Sequence, residues 1–437
     1  MANLKPFRAY FYNSAKVGDI STVVAPTRYN ISDDMKNDLY KSNEYNAIRL
    51  FDGKSYDDDT ENANKYTRSA QYLKEWIEKD VLVRDSEDAI YLYEETVEMN
   101  GSRYQNMTFV ALLEIEELGG DVRMCEEIRE ISKNDRYDLL KATNADLSII
   151  SCLYMNRDKR LLTMMNTLSQ NKPDIEFDSI DYGMYQRIWR ITDKDTIEKI
   201  VELLKGSKLY IIDGQTRYTT CLQYRDYMRD NNPNHTGREP YNYTMVSLFD
   251  SNSDGVAIMP EHRKIKLPNG FSEDYFIAAV QDHFKIEKII VDPQDDSLTE
   301  TMKSQIKTKR LETKLAVYCG GNYFYRLTLT NPNYIKEELL PEMSKHYCGL
   351  DTVVLRNLII NDIFGIEEDY AELVSTSIST NDCMKALEEG MADVIVVMNP
   401  IKTEQIEAVT GENELLPFRT VSMFPKPSVG AIINIKD

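Results

Sequence analysis

The sequence predicts an α+β fold, that is, a mixed α/β arrangement elaborated by antiparallel hairpins and helices. Two glycine-containing turns flanked by apolar, β-favouring runs predict hairpins. Stretches with helical spacing of apolar residues lie between them. Extended and helical segments therefore alternate in an irregular order, which favours a mixed fold over a doubly wound parallel sheet.

The two hairpin signals lie far apart in the chain. In residues 89–115 an Asn100-Gly101 pair separates two apolar runs, and in residues 314–329 Gly320 and Gly321 do the same. Such pairs supply the positive φ angles that tight hairpins need. Both segments are predicted to form antiparallel pairs of strands.

Helices are predicted where apolar residues recur every three or four positions. Residues 64–80 place Tyr66, Ala70, Leu73 and Ile77 on one face. A second helix is predicted to begin at Ser32 and Asp33, followed by a strand at residues 47–51.

The most polar break in the chain is residues 229–243, which are rich in Asn, Pro and Gly. We place a domain limit there, with an N-terminal region at 1–235 and a C-terminal α/β region at 236–437 packed on it. The strand expected at 243–249 could instead pair with the strand before Asp213, which would remove the limit.

Composition excludes several classes of protein. The chain has 52 Lys and Arg residues against 72 Asp and Glu, a net charge of −20. This balance argues against nucleic acid as a partner, although it leaves room for a local basic patch. No apolar stretch approaches the roughly 20 residues of a membrane span, and the N-terminus lacks an export signal, so we expect a cytoplasmic protein without membrane contact.

The spacing of the cysteines and histidines does not predict a metal site. The six cysteines are widely separated and are expected to be unpaired thiols in a reducing compartment. None of the four histidines lies at i,i+4 spacing, so we predict no metal ligand set. Walker A, Rossmann, nucleophile-elbow and zinc-protease motifs are also absent from the sequence.

The strongest candidate site is "YIIDGQTRYTT", residues 210–220. A short apolar strand ends in Asp213 and Gly214, and a helix with an apolar stripe follows. Gly214 lets a ligand approach the backbone, the first helical amides point outward, and Arg217 adds a planar donor fork for phosphate. Asp213 could hold a metal ion or orient a hydroxyl. The alternative is an ordinary turn in which Arg217 pairs with a surface acid.

Three further segments hold weaker candidates. In residues 123–136 one glutamate could act as a general base and Lys133 or Arg136 as a phosphate partner, although a solvated charged segment explains this composition too. His262 and Arg263 follow an apolar strand, and Arg419 and Lys426 lie in a segment expected to form loops. For each pair a solvated loop is the alternative.

Taken in order, the segments of the chain resemble the domain of unknown function 1015 family, a bacterial and archaeal family often labelled SpoOJ/ParB-like. The resemblance covers nearly the whole chain. The segments that carry it are "KPFRAY", "VVAPTRYNIS", "KNDRYDLLKATNADLSII", "IIDGQTRYTT", "MPEHRKI", "GLDTVVLRNLIINDIFGI", "NPIKTEQIEAV" and "LPFRTVSMFPKPSVG". Their Asp-Gly-x-x-Arg turn is similar to that of the ParB, sulfiredoxin and free serine kinase proteins, which implies a ParB/sulfiredoxin-like core with a strand-loop-helix phosphate site.

The resemblance implies phosphoryl transfer to a small hydroxyl compound, with free serine as the leading acceptor. Glu126 would be the base, and Asp213 the second catalytic residue. Mg²⁺ is implied as cofactor, and ATP, ADP or pyrophosphate as donor. The residues implied in phosphate or nucleotide binding are Gly214, Gln215, Thr216, Arg217, Arg136, Lys133, His262 and Arg263; those for substrate binding are Arg28, Arg419 and Lys426.

The chain also departs from the family pattern. Gln215 and Thr216 stand where the family has two histidines, Cys125 stands where it has a histidine before Glu126, and Arg28-Tyr29 replaces Tyr-Asp. Gln and Thr can hydrogen-bond but cannot move a proton near neutral pH. The alternative function is therefore a regulatory protein that binds a nucleotide or phosphometabolite without catalysis. The sequence does not predict an oligomeric state.

Overall fold

The computed structural model describes residues 2–27, 31–99, 102–128, 130–155, 159–179, 183–251, 253, 257–268, 270–308, 311–367 and 373–437. The chain forms two compact units. Unit 1 comprises Met1–Met124, Ile128–Ala257 and Met423–Asp437, and unit 2 comprises Cys125–Glu127 and Ile258–Ser422.

Unit 1 is built on a large mixed sheet. Its strands are β1 (Leu4–Lys5), β2 (Tyr10–Tyr12), β3 (Leu82–Arg84), β4 (Ile90–Met99), β5 (Ser102–Glu114), β6 (Val122–Met124), β7 (Ala145–Asp146), β8 (Ile150–Tyr154), β9 (Ile175–Asp178), β10 (Tyr185–Ile191), β11 (Leu209–Asp213) and β12 (Tyr243–Asp250). Nine of them form the main sheet, in the order β6-β11-β8-β12-β5-β4-β10-β9 with β1 added on β5. β11 runs parallel to β6 and antiparallel to β8.

Eight α-helices belong to the described part of unit 1. They are α1 (Ser14–Val17), α2 (Asp33–Ser42), α3 (Ile48–Phe51), α4 (Lys65–Glu78), α5 (Glu130–Thr143), α6 (Arg160–Leu168), α7 (Lys194–Leu204) and α8 (Gln215–Asp230). One face of the sheet packs on apolar side chains of α5 to α8. The opposite face, hereafter the tail face, packs on Phe7, Phe11, Ala431 and Ile432.

Unit 2 has its own sheet, in the order β15-β17-β16-β19-β14-β18. The strands from β13 onward are β13 (Ala257–Met259), β14 (His262–Ile265), β15 (Phe284–Ile290), β16 (Lys314–Tyr318), β17 (Tyr323–Leu329), β18 (Val374–Ser377), β19 (Val394–Val397), β20 (Ser422–Phe424) and β21 (Asn434–Ile435). The last of these, β21, lies in the C-terminal segment of unit 1 and pairs there with β7. The helices of unit 2 are α9 (Glu273–Val280), α10 (Leu298–Ile306), α11 (Lys345–Cys348), α12 (Asp351–Val354), α13 (Thr380–Glu388) and α14 (Thr403–Gly411), with π-helical turns at Ile335–Leu339 and Leu355–Ile363.

The predicted mixed α/β fold with antiparallel hairpins is confirmed. β4 and β5 pair from Tyr91 opposite Val110 to Met99 opposite Ser102, although the Asn100-Gly101 turn itself lies outside the described residues. β16 and β17 also pair antiparallel. Gly320 and Gly321 lie in the turn between these strands, and each has a φ of 90°.

One predicted element is wrong. Residues 47–51 were expected to form a strand, but Ile48–Phe51 is the short helix α3. The Asn46 side chain accepts a hydrogen bond from the Ile48 N–H at 3.0 Å, which favours a helical start. Ile48, Leu50 and Phe51 are all buried, so the segment lacks the alternation of a half-buried strand.

The division into units differs from the expected limit between residues 235 and 236. Strand β12 follows that limit and pairs with β5 and β8 inside the sheet of unit 1. β8 separates it from β11, so it does not pair with the strand that ends in Asp213. In the described part of the chain, no helix is long and apolar enough to cross a membrane.

Candidate functional site

The turn between β11 and α8 has the predicted strand-loop-helix form. Leu209 to Ile212 are buried in the sheet, Asp213 ends the strand, and α8 begins at Gln215. Gly214 between them has φ 90° and ψ 25°, a left-handed conformation that residues with a Cβ avoid. The first amides of α8 therefore start beside the carboxylate of Asp213.

Asp213 lies between two cations. Arg217 Nη2 donates to Asp213 Oδ2 at 2.6 Å, and Lys426 Nζ donates to Asp213 Oδ1 at 2.8 Å. Arg217 Nη2 also donates to the Ile149 carbonyl at 3.0 Å. We call Lys426, Asp213 and Arg217 the triad; three of the predicted site residues meet in it.

The triad keeps Asp213 ionised. Burial alone would raise the pKa of Asp213, but the charges of Lys426 and Arg217 outweigh it and lower the pKa to about 2. A carboxylate with so low a pKa is a weak base at neutral pH. Asp213 is therefore better suited to holding the two cations in place than to accepting a proton.

Gly214 is needed for a second reason, the packing of Arg217. A Cβ at position 214 would lie 2.7 Å from Arg217 Nη2 and 2.8 Å from its Nε. The guanidinium can fold back over the turn towards Asp213 only because this space is open. The sequence Asp-Gly-x-x-Arg thus specifies an ion pair as well as a helix start.

A cavity of about 40 Å³ in unit 1 brings Arg217 together with Arg136, another predicted phosphate partner. Arg136 comes from α5, stacks over the Phe51 ring at 4.2 Å and donates from Nη1 to the Phe51 carbonyl at 3.3 Å. Thr220 and Thr244 add hydroxyls to the lining. Two guanidinium groups on one cavity suit a small anion.

Sequence reasoning missed a buried ion pair that meets the same cavity. Asp146 lines the cavity and accepts from Lys436 Nζ at 2.9 Å and from Asn434 Nδ2 at 2.7 Å. The Lys436 side chain is 1% exposed. The only local signal was a charged residue beside each of two apolar runs, and 290 positions separate them.

Glu126 belongs to unit 2. Its Oε1 accepts from the Thr420 N–H at 2.8 Å and from the Val421 N–H. Burial raises the pKa of Glu126 to about 8, although the two N–H donors act in the opposite direction. The carboxyl is therefore mostly protonated at pH 7 and gains base character only above that pH.

Arg263 and Arg419 are also in unit 2. Arg263 is buried and donates from Nη1 to the Glu261 carbonyl at 2.6 Å and from Nη2 to the Arg419 carbonyl at 3.2 Å. Burial lowers the pKa of Arg263 to about 10, against the charges of Glu261 and Glu126. Arg419 has φ of 63°, and its guanidinium lies over the Phe418 ring.

His262 is 0% exposed in the first position of β14. Its Nδ1 accepts from the Met398 N–H at 3.1 Å, so the proton of the neutral ring sits on Nε2. Burial, with the charges of Lys303 and Arg263, lowers the pKa of His262 to about 3. His262 is therefore neutral at physiological pH, and among the described residues its buried Nε2 has no hydrogen-bond partner.

The remaining predicted residues fall in different places. Gln215 is buried and Thr216 half-buried in the first turn of α8. Lys133 lies in α5 one turn before Arg136, but its side chain is outside the described residues, as is all of Arg28.

The described residues around the triad do not form a metal ligand set. Each Asp213 oxygen already accepts from a cation, so this carboxylate does not fit a Mg²⁺ ion in the observed arrangement. Among the described residues no group of three or more His, Cys, Asp or Glu side chains is placed to hold a metal.

Solved structures that are similar to the chain have low identity. A free serine kinase variant in complex with AMP is 9% identical, with 72% of this chain and 89% of that chain covered and a TM-score of 0.36. A conserved hypothetical protein from Pyrococcus furiosus is 10% identical over 72% and 92%, with a TM-score of 0.33. SbnI from Staphylococcus aureus, truncated at its C-terminus, is 10% identical over 73% and 85%, with a TM-score of 0.34.

No curated protein matches the chain. The family described as "Protein of unknown function (DUF1015)" matches residues 4–353, and the chain therefore belongs to this family.

Proposed function

We propose that the protein is a small-molecule phosphotransferase that binds the phosphates of its donor at the start of α8. The donor is a nucleotide, ATP or ADP, or pyrophosphate, and the acceptor is a small hydroxyl compound, with free serine as the leading candidate. The observation that carries the proposal is the triad, in which Lys426 and Arg217 both bind Asp213 beside the first turn of a helix.

The charges of the triad favour an anion. Two cations against one carboxylate leave one net positive charge, and it lies next to the positive end of the α8 dipole. A phosphate can accept from the outward amides of the first turn while Asp213 holds the cations. Gly214 allows the close approach because it carries no side chain.

In this mechanism the protein positions charge rather than forming a covalent intermediate. Arg217 and Lys426 neutralise phosphate oxygens as charge develops on them, and Arg136 adds a second guanidinium. Because Asp213 is a weak base, proton removal from the acceptor has to come from another group. Glu126 in that role stays a prediction, as do phosphate contacts from Lys133, His262 and Arg263 and substrate contacts from Arg28 and Arg419.

A second candidate function is a regulatory protein that binds a nucleotide or phosphometabolite without turnover. Gln215 and Thr216 favour it because neither can carry a proton in the first turn of α8. The low pKa of Asp213 favours it too. Both candidates use the same phosphate contacts and differ only in catalysis.

One experiment separates the two candidates. Purified full-length protein is incubated with L-serine and ATP, ADP or pyrophosphate, and phosphoserine is followed by ³¹P NMR while calorimetry measures donor binding. The phosphotransferase predicts phosphoserine with at least one donor, and Arg217→Ala abolishes it. The matched control is Arg229→Ala, which removes an exposed arginine from the last turn of the same helix.

Donor binding without product supports the regulatory function and rejects catalysis on serine. If no donor binds to the wild-type protein, or if Arg217→Ala binds the donor as well as Arg229→Ala does, the phosphate site itself is wrong.

A further inference from the structure

The cavity in unit 1 lies one helical turn beyond the start of α8. Its α8 side is formed by Arg217, Thr220 and Cys221, and no residue from 213 to 216 lines it. Thr220 Oγ1 donates to the Thr216 carbonyl at 2.7 Å, so the two threonines stand one turn apart, about 5 Å along the helix. The cavity is therefore next to the phosphate site and shares Arg217 with it.

The size of the cavity limits the group that it can hold. A water molecule needs about 10–15 Å³ of such space. At about 40 Å³ the cavity has room for about three groups of that size, which matches a carboxylate and is too little for a phosphate. Apolar side chains, among them Leu140, Leu147 and Ile150, form much of the wall and keep water away from a bound group.

Arg217 brings a donor without an acceptor to this cavity. Its Nη2 donates to Asp213 and to the Ile149 carbonyl. Its Nε is buried and, among the described residues, has no hydrogen-bond partner. A buried N–H that is left unpaired costs stability. The missing partner of Arg217 is an acceptor.

Arg136 adds a second guanidinium, which is held in a fixed orientation. It stacks over the Phe51 ring at 4.2 Å and donates to the Phe51 carbonyl, and both residues line the cavity. A guanidinium carries several N–H donors in one plane and binds a carboxylate with two parallel hydrogen bonds. Because stacking fixes the plane of Arg136, little conformational entropy is lost when an anion binds.

The other polar groups of the lining do not suit a cationic ligand. The Asp146 carboxylate already accepts from Lys436, Asn434, the Met245 N–H and the Thr244 hydroxyl. A bound ammonium would have to displace one of these donors while it lies close to two guanidinium groups. A small anion avoids both costs.

We propose that the cavity binds the carboxylate of a small hydroxy acid and that Arg136 selects for this group. The role of the acid rests on the proposed function, in which it is the phosphoryl acceptor. A three-carbon hydroxy acid, such as serine or glyceric acid, covers the one helical turn between the cavity and the phosphate site. Amino alcohols, which lack the carboxylate, are then poor acceptors.

Calorimetry on the full-length wild-type protein at pH 7.5 tests the carboxylate requirement. The probes are L-serine and glycerate, and the comparators are L-serinamide, in which a neutral amide replaces the carboxylate, and ethanolamine. The probes are expected to bind, and each comparator should bind at least tenfold more weakly than L-serine because the charge-assisted hydrogen bonds are lost. Equal affinity for L-serine and L-serinamide, or silence of both acids, would overturn the proposal.

Arg136→Met tests the residue that selects the carboxylate. It should weaken L-serine binding at least tenfold and change the affinity for L-serinamide and ATP by less than threefold. The matched control is Lys141→Met, which removes an exposed cation from the same helix and should leave all three affinities unchanged. An Arg136→Met protein that binds L-serine normally, or that loses ATP as strongly as L-serine, would contradict the assignment.

The carboxylate site and the proposed function fail in different ways. A wild-type protein that prefers L-serine to L-serinamide but binds no donor would support the cavity assignment and reject the proposed function. Donor binding without any preference for the carboxylate would reject the cavity assignment and leave the phosphate site standing.

Discussion

Lys426 Nζ lies 2.8 Å from Asp213 Oδ1, although the two residues are 213 positions apart in the chain. Both side chains are largely buried, at 13% and 12% exposure. An ion pair removed from water in this way is costly to break because the remaining charge loses its partner.

Lys426→Met is expected to reduce the free energy of unfolding by about 2 kcal/mol, since one charge-assisted hydrogen bond is lost while Arg217 still pairs with Asp213. Combined with Asp213→Asn in a double-mutant cycle, the two changes should be non-additive. The control is Lys205→Met, whose ion pair is exposed at 58% and 73%. If the changes in the free energy of unfolding caused by the substitutions at 213 and 426 are additive, the ion pair between Asp213 and Lys426 is contradicted.

Gly214→Ala should destabilise the protein more than Gly206→Ala. Both glycines have positive φ, 90° and 79°, so both substitutions strain the backbone by about 1 kcal/mol. A Cβ at 206 meets nothing within 4 Å, whereas one at 214 displaces Arg217. Chemical denaturation compares the two. Equal losses, or donor affinity retained in Gly214→Ala, would show that the position of Arg217 is not fixed by this glycine.

Glu126 should make the protein less stable as the pH rises. Its pKa is about 8 in the folded state against 4.5 in the reference state. Between these values the folded chain holds a proton that the unfolded chain has lost, so the free energy of unfolding falls with increasing pH. The stabilisation that comes from the raised pKa of Glu126 is fully present below about pH 4.5. It is lost as the pH rises through 8.

Thermal unfolding of the wild type and of Glu126→Gln from pH 5 to 8.5 measures this effect. The difference in stability between the two proteins should shift in favour of Glu126→Gln as the pH rises. Glu127→Gln, which alters the exposed neighbour, is the control. Parallel pH curves for wild type and Glu126→Gln would rule out the raised pKa.

His262 should remain neutral and protonated on Nε2 well below pH 6. Its Nδ1 accepts from the Met398 N–H, and burial lowers the pKa to about 3. Long-range ¹H–¹⁵N spectra from pH 7.5 to 5 should show one imidazole with constant shifts, and that signal should be missing in His262→Gln. If the signal titrates near pH 6.5, the buried hydrogen bond is wrong.

The local parts of the fold could be predicted from sequence. β11, Gly214 and α8 follow from a short apolar run, a glycine and an apolar helical stripe, and the β16-β17 hairpin follows from two adjacent glycines. The preferences of neighbouring residues for helix, strand or turn are enough to predict such elements. The prediction failed at residues 47–51, where Ala47, Ile48, Leu50 and Phe51 are all buried and the run lacks the periodicity that distinguishes a strand from a helix.

The long-range parts of the site could not be predicted in this way. Nothing near Lys426 in sequence marks Asp213 as its partner, and the same is true of Lys436 and Asp146. The buried Glu95 left one readable sign, its position in the alternating run Tyr91, Tyr93, Val97. Whether that glutamate faced the core depended on the strand register, which the sequence alone does not supply.

The return of residues 423–437 to unit 1 also governs how the site forms during synthesis. A ribosome completes β11 and α8 long before it makes Lys426, and it makes almost all of unit 2 in between. Until then Asp213 has Arg217 but not its second cation, and Gln186 lacks Ser428. The phosphate binding proposed for unit 1 should therefore be among the last properties that a nascent chain acquires, and any product that ends before residue 426 should lack it.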